Sequence, residues 1–211
     1  MNKKMNKIKI LLGVVIFGSI WGLLECVLGS YLPGRVMTGV VALGLMTATR
    51  FIYNQKGMQA GMGLIAAALL AVNPLGGCVI CSVIAIVVEG AVFELVWFIF
   101  SPDIEKAESM SIKVCAGIVT AYACYTLAYV MGQVVTPLFF SNAKLQFGSL
   151  AVFIPTILSK GLVAGLIGGV VFPAAASVKQ IGVSFLRSKR YYSMGSIASA
   201  ACWIVVIILY R

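Results

Sequence analysis

Apolar residues run along this chain in seven long stretches that short polar segments separate. The stretches cover approximately residues 10–32, 36–53, 58–73, 78–100, 112–135, 150–176 and 193–210. About 20 apolar residues in a helix cross the ~30 Å hydrocarbon core of a bilayer. The pattern therefore predicts an all-α fold, a polytopic membrane helix bundle of a six-helix core and a seventh helix.

The third stretch is the weakest of the seven. It is short and ends in a turn signal of asparagine, proline and paired glycines at 73–77. We expect either a tilted short helix or a re-entrant segment buried by its neighbours. The second stretch is short at its polar end, where Arg50 is expected to snorkel towards the interface.

Composition agrees with a membrane protein. The chain has 211 residues, of which 61% are hydrophobic and 10% charged, whereas soluble domains carry about 25% charged residues. The predicted organisation is a membrane core over 1–176, a basic cytoplasmic linker over 177–192 and an additional transmembrane helix over 193–211.

Basic residues between the stretches predict the orientation. With the N-terminus inside, twelve lysines and arginines fall on the cytoplasmic side and three on the outer side, a bias typical of a multi-pass protein of the cell membrane. The outer three are Arg35, Lys144 and Arg211. The basic clusters at the ends of apolar stretches favour contact with anionic lipid, and no nucleic-acid-binding motif accompanies them.

Three ionisable residues lie inside apolar stretches: Glu25, Glu89 and Lys160. A charge at such depth is costly and normally faces a bundle interior, a partner charge or a substrate. Glu89 and Lys160 would either pair as a buried salt bridge or line a cavity that grips a polar ligand. Glu25 would cap a neighbouring helix, bind a cationic group or carry a proton.

Aromatic residues suggest a wall for the same cavity. Tyr122, Tyr125 and Tyr129 share one face of the fifth predicted helix. They would stack on an aromatic ligand, or else form bundle core with hydroxyls on backbone carbonyls. The short outer loop that contains Arg35 would close over the pocket.

The sequence gives little support for metal binding or for catalysis. Histidine is absent, which removes the commonest metal ligand and the usual general base. Cys78 and Cys81 form a CxxC pair without further soft ligands nearby, so we predict no metal site. No nucleophile–base constellation is visible, so we predict that the chain is not an enzyme.

Small residues form stripes on several of the predicted helices. Gly18 and Gly22 recur on the first, and Gly63, Ala67 and Ala71 on the third. Such stripes let helix backbones approach closely where no hydrophobic effect drives association. They indicate either packing within the chain or a face that docks a partner subunit.

Four runs of this sequence resemble the substrate-binding S components of energy-coupling factor transporters. The runs are YNQKG at 53–57, GMGLIAAA at 61–68, AIVVEG at 85–90 and PTILSKGLVAGLIG at 155–168. S components are six-helix membrane proteins that capture a vitamin, a precursor or a metal ion from outside. They deliver it by docking on a transmembrane T component that two cytoplasmic ATPases drive.

The resemblance implies a function and a division of residues. The chain would capture a micronutrient and bind no cofactor of its own, with ATP hydrolysed by the partner subunits. Glu89, Tyr125 and Lys160 would lie in the pocket, and the small faces of the first and third helices would dock. The seventh stretch departs from the family, and the missing histidine disfavours its nickel and cobalt branch.

Two other hypotheses belong to different classes. A stand-alone proton- or ion-coupled carrier would use Glu25 and Glu89 as its titrating groups. An intramembrane enzyme or a structural assembly factor is the third possibility, and small-residue helices serve an assembly factor equally well.

Overall fold

A computed structural model of the protein describes residues 7–72, 79–104, 109–139, 150–178 and 191–209. These residues are almost entirely helical, and no strand occurs among them. The predicted turn at 73–77, Cys78, most of the 177–192 linker and many of the counted basic residues lie outside the described ranges.

The described residues form seven helices at the places where the apolar stretches predicted them. Their bounds are α1 Lys7–Leu28, α2 Gly34–Tyr53, α3 Met58–Ala71, α4 Val79–Ile104, α5 Met110–Phe139, α6 Leu150–Ser177 and α7 Tyr191–Leu209. All but α3 are long and apolar enough to cross a membrane. The predicted all-α, polytopic membrane helix bundle is therefore confirmed.

Helix α3 is the short member of the bundle. Its 14 residues extend about 21 Å at 1.5 Å per residue, less than the ~30 Å hydrocarbon core. Half of its positions are buried, mainly against α1 and α4. The third stretch, which we expected to be the weakest of the seven, thus forms a helix that is shorter than the other six.

Helix α2 is the most enclosed of the six long helices. It packs mainly on α6 and also touches α1, α3 and α5, while the other helices follow one another around it in the order α1, α3, α4, α5, α6. Its middle, Met37–Ala42, is wound as a π-helix. Short π segments inside helices are rare and occur often at functional sites.

Glycines set the closest helix contacts. A Cβ on Gly22 would lie 2.9 Å from the backbone oxygen of Ala66, and one on Gly18 2.9 Å from that of Met62. A Cβ on Gly63 would lie 3.0 Å from the backbone oxygen of Ile86 in α4. These glycines therefore bring α1, α3 and α4 together within the chain.

This packing bears on the predicted partner-docking face, whose role in docking stays a prediction. Gly18, Gly22, Gly63 and Ala67 are buried among helices of the same chain, and only Ala71 of the predicted set is exposed. The stripes serve internal packing in this conformation, which was the other alternative for small residues in membrane helices.

The additional helix α7 packs along α1. The hydroxyls of Ser19 and Ser199 lie 2.9 Å apart, and the indole nitrogen of Trp203 donates to Ser19 at 3.1 Å. Near the start of α7, the hydroxyls of Tyr53 and Tyr191 lie 2.9 Å apart. Two groups of polar contacts therefore fix α7 against the core, in a medium where apolar contact alone gives little specificity.

We name the two ends of the bundle by residues in their loops. The Arg35 end holds the connection from α1 to α2, and the Lys56 end holds the connection from α2 to α3. At the Lys56 end, Asn54 (φ 48°) and Gly57 (φ 81°) adopt left-handed conformations that reverse the chain.

Candidate ligand-binding site

Glu89 is the buried carboxylate at the centre of the candidate site. Helix α4 carries it, and its side chain is 5% exposed. The hydroxyl of Thr38 donates to its Oε1 atom at 2.5 Å. Thr38 lies in the π-helical segment of α2, so the irregular turn supplies the donor that holds the carboxylate.

Glu25 brings a second carboxylate to the same region. It lies one turn from the end of α1, where the indole nitrogen of Trp21 donates to its Oε1 atom at 3.1 Å. Its charge acts on Glu89. Two carboxylates inside a bundle repel each other when both are ionised, and the low dielectric of the interior strengthens the repulsion.

Tyr125 and Tyr129 form an aromatic pair beside the carboxylates. Their ring centroids are 4.4 Å apart, with the ring planes tilted by 32°. The charges of Glu25 and Glu89 act on the Tyr129 hydroxyl. Tyr122, which shares the helix face in sequence, packs instead against Gly161 of α6.

The start of α2 contacts this pair, whereas closure of the Arg35 loop over a ligand stays a prediction. The Tyr129 hydroxyl lies against Gly34, where a Cβ would collide with it. Arg35 follows and is half-buried, and its charge acts on both tyrosines. Glu25, Glu89, Tyr125, Tyr129 and Arg35 therefore gather at the Arg35 end.

Lys160 is not the partner of Glu89. It is half-buried on α6, on the same face as the buried residues Ile157 and Ala164, and the described side chains that act on Glu89 do not include it. Thr38 holds the Glu89 carboxylate in its place. The predicted buried salt bridge between Glu89 and Lys160 is therefore absent from the described structure, whereas a role for Lys160 in ligand binding stays a prediction.

The cysteines divide into bonded and free. Cys81 is disulfide-bonded, and Cys78 lies outside the described residues. The thiol of Cys124 points at the backbone oxygen of Glu89, at 3.6 Å. Within the described ranges no group of three or more potential metal ligands occurs.

A second polar cluster occupies the Lys56 end. The carboxylate of Glu94 on α4 accepts hydrogen bonds from the backbone N–H groups of Gly57 (2.7 Å) and Gln59 (3.3 Å). Glu94 therefore caps the start of α3, where unpaired N–H groups favour a negative charge.

Arg50 belongs to the same cluster and differs from its prediction. It is 5% exposed and lies over the ring of Trp97, 5.5 Å from the centroid, with its guanidinium donating to the backbone oxygen of Gln55 at 3.4 Å. It is thus held inside the bundle by aromatic and backbone contacts and does not snorkel to the interface.

Sequence reasoning missed Thr38. A threonine in an apolar helix normally bonds its own backbone, four residues earlier, so its identity gave no sign of a partner on α4. In the sequence, the available signal is a short polar residue just after a proline–glycine turn. In the structure, that residue lies in the helix that has the most neighbours.

Comparison of the chain with family models, curated proteins and solved structures gave no match.

Proposed function

We propose that this protein is a membrane subunit that captures a small organic micronutrient at its Arg35 end. The observation that carries the proposal is the gathering of Glu25 and Glu89 beside the Tyr125–Tyr129 pair, beneath the Arg35 loop. A site of this kind, mostly apolar with a few convergent polar groups, is the usual form of a small-molecule site.

The free-energy cost of placing two carboxylates inside the bundle supports a binding role for this site. A carboxylate inside a membrane bundle is expensive unless a partner charge offsets it. Glu25 and Glu89 receive hydrogen bonds from Trp21 and Thr38, yet neither forms an ion pair in the part of the chain that the structure describes. A ligand that supplies the missing partner for these carboxylates would offset that cost.

The transporter class in this proposal comes from the resemblance to S components. On that basis the chain docks on a transmembrane T component that two ATPases energise, with the Arg35 end facing outwards and the N-terminus in the cytoplasm. The excess of basic residues on the Lys56 side supports this orientation. The docking face would use residues other than the buried stripe of Gly18, Gly22 and Gly63.

A binding experiment tests the capture site. Purified protein in nanodiscs is titrated by calorimetry against a panel of vitamins and vitamin precursors. One compound should bind, and Glu89→Gln should weaken it at least about tenfold, while the matched variant Glu94→Gln at the other end should leave its affinity unchanged. Equal affinity in the wild type and Glu89→Gln would refute the site.

A transport experiment tests the class. Uptake of the same compound should require the partner ATPases and should stop when ATP is depleted with the proton gradient kept intact. Uptake that continues under those conditions argues against an S component.

The second candidate is a stand-alone proton-coupled carrier. The mutual repulsion of Glu25 and Glu89 favours it, because one proton shared between two carboxylates is a common element of proton relays. Uptake without ATPase partners that collapses when an ionophore dissipates the proton gradient would select the carrier over the S component.

A further inference from the structure

We propose that the groove between α1 and α7 binds one anionic phospholipid, with an acyl chain along the groove and the phosphate at Lys9. This surface lies outside the candidate ligand-binding site, so the inference does not depend on the capture role. It follows from the lining of the groove, from its length along the bilayer and from the charge at its end.

The groove is lined by apolar side chains. It encloses about 230 Å³, less than the ~300 Å³ lower limit of typical small-molecule pockets. Residues of both helices line it, namely Ile16, Phe17 and Ile20 of α1 and Tyr191, Met194, Gly195 and Ala198 of α7. The Tyr191 hydroxyl is already engaged, 2.9 Å from the Tyr53 hydroxyl and 3.0 Å from the backbone oxygen of Lys9. The lining therefore suits a narrow apolar chain.

Polar contacts fix the two helices on either side of the groove. The Tyr191 hydroxyl donates to the backbone oxygen of Lys9 near the start of α7, and the hydroxyls of Ser19 and Ser199 lie 2.9 Å apart further along. Between them, a Cβ on Gly195 would collide with the Ile16 side chain. The shape of the groove is thus set by contacts within the chain, and a lipid chain would enter a surface that is already formed.

The face of α1 that meets α7 has the length of one leaflet. Lys9, Ile16 and Ile20 follow one another on that face at helical spacing. Lys9 and Ile20 are about 16 Å apart along the axis at 1.5 Å per residue, and half of the ~30 Å hydrocarbon core is about 15 Å. A phospholipid with its phosphate at Lys9 would therefore lay its acyl chain along the groove within the same leaflet.

The Lys9 end of the groove is basic. The Lys9 ammonium lies 5.8 Å from the centroid of the Tyr192 ring, and basic and tyrosine side chains are typical of the bilayer interface. In the sequence, six more basic residues stand within six positions of Lys9 or Tyr191, namely Lys3, Lys4, Lys7, Arg187, Lys189 and Arg190. Basic clusters beside a membrane span attract anionic headgroups. Charge therefore favours an anionic phospholipid over a zwitterionic one.

Two lipids with identical chains and different headgroups test the charge. Phosphatidylglycerol and phosphatidylcholine are titrated into the full-length protein in detergent micelles, and native mass spectrometry measures the affinity for the first bound lipid. Phosphatidylglycerol should bind at least about fivefold more tightly, the effect of one basic residue near a charged surface. Equal affinities for the two lipids would overturn the inference.

Three variants tie the headgroup preference to Lys9. Lys9→Gln keeps the backbone oxygen that Tyr191 uses and should reduce the ratio of the two affinities about fivefold. Lys9→Arg keeps the charge and should keep the ratio, as should Lys113→Gln at the start of α5. A ratio unchanged in Lys9→Gln, or reduced as much in Lys113→Gln, would contradict the proposal.

A matched pair of variants on α7 tests the acyl chain. Ala198→Leu fills the groove, so the lipid is displaced from Lys9 and the ratio should fall as it does in Lys9→Gln. Ala200→Leu makes the same change at an exposed position outside the lining and should leave the ratio as in the wild type. A wild-type ratio in Ala198→Leu would overturn the inference. A wild-type dimer that Ala198→Leu dissociates would assign the groove to a second copy of the chain and would also overturn it.

Discussion

The two ends of this bundle use the same kinds of side chain in opposite ways. At the Lys56 end, Glu94 accepts two backbone N–H groups and Arg50 lies on Trp97, so each charge has a partner within the chain. At the Arg35 end, Glu25 and Glu89 repel each other, and each is held by one neutral donor.

The comparison separates structural charges from functional ones. Removing the partner of a buried charge is costly, because it leaves an uncompensated charge inside the bundle. A buried charge left partly unpaired is a cost to the fold, and such sites persist where a ligand or a proton uses them. Glu89 and Glu94 lie on the same helix, and the partners of each distinguish them.

The aromatic residues repeat the contrast. Trp97 stacks on Phe93 and Phe172 at centroid distances of 5.8 and 5.6 Å, and Phe51 meets it edge-on. That cluster is closed and apolar. The Tyr125–Tyr129 pair carries hydroxyl groups, and Tyr125 packs with Phe153 and Ile157.

The largest effect should come from the closed aromatic cluster. Trp97→Ala removes a side chain that is 2% exposed and should lower the free energy of unfolding by about 3 kcal/mol, near the lower limit for such a cavity. Circular dichroism during thermal unfolding in detergent measures the change. The Leu95 side chain on the same helix is 56% exposed. Leu95→Ala is therefore the control, with little expected change. A loss equal to that control would show that the Lys56 end is not a packed core.

Thr38→Val should have the next largest effect. Valine matches the shape of threonine but removes the donor to Glu89, and leaving a buried carboxylate oxygen unpaired costs about 2 kcal/mol. Chemical denaturation in mixed micelles would measure it. Thr38→Ser keeps the hydroxyl and should recover most of the stability, so equal losses in both variants would show that the hydrogen bond is unimportant.

Glu94→Gln should destabilise the protein modestly. The amide keeps one acceptor oxygen but loses the second and the charge at the start of α3, a loss of about 1 kcal/mol. The same unfolding assay measures it, and hydrogen exchange at Gly57 and Gln59 should accelerate. A stability equal to that of the wild type would show that the cap does not matter.

Glu89→Gln should change stability least and in the opposite direction. Its carbonyl oxygen still accepts from Thr38 while the repulsion with Glu25 disappears, so the free energy of unfolding should rise by about 0.5 kcal/mol. Because the two carboxylates act on each other, adding Glu25→Gln should give less than the sum of the single effects. A clear loss of stability in Glu89→Gln would assign Glu89 to the structural class.

The sequence predicted the helices well and the contacts between them poorly. Apolar length alone located all seven helices and marked α3 as short, because burial in lipid leaves helices as nearly the only option. The stretches also placed Glu25, Glu89 and Lys160 in three different membrane helices, where the structure has them.

Pairing between helices depends on rotation about each axis, which spacing along one segment does not determine. The sequence therefore left Lys160 as a possible partner of Glu89 and gave no sign of Thr38. Arg50 was expected at the interface, since nothing in its own helix indicates Trp97 of α4. The π segment at Met37–Ala42 has no clear signature in its residues, and it is the feature that turns Thr38 towards Glu89.

If the Arg35 end binds a ligand and the Lys56 end is structural, a change at the Arg35 end should alter which small molecules purify with the protein. Mass spectrometry of those molecules is the most direct test. Wild type, Glu89→Gln and Glu94→Gln are purified in parallel from the same cells. We predict that one small organic molecule accompanies the wild type and Glu94→Gln and is lost from Glu89→Gln. The same molecule retained on Glu89→Gln, or lost from Glu94→Gln alone, would contradict the account.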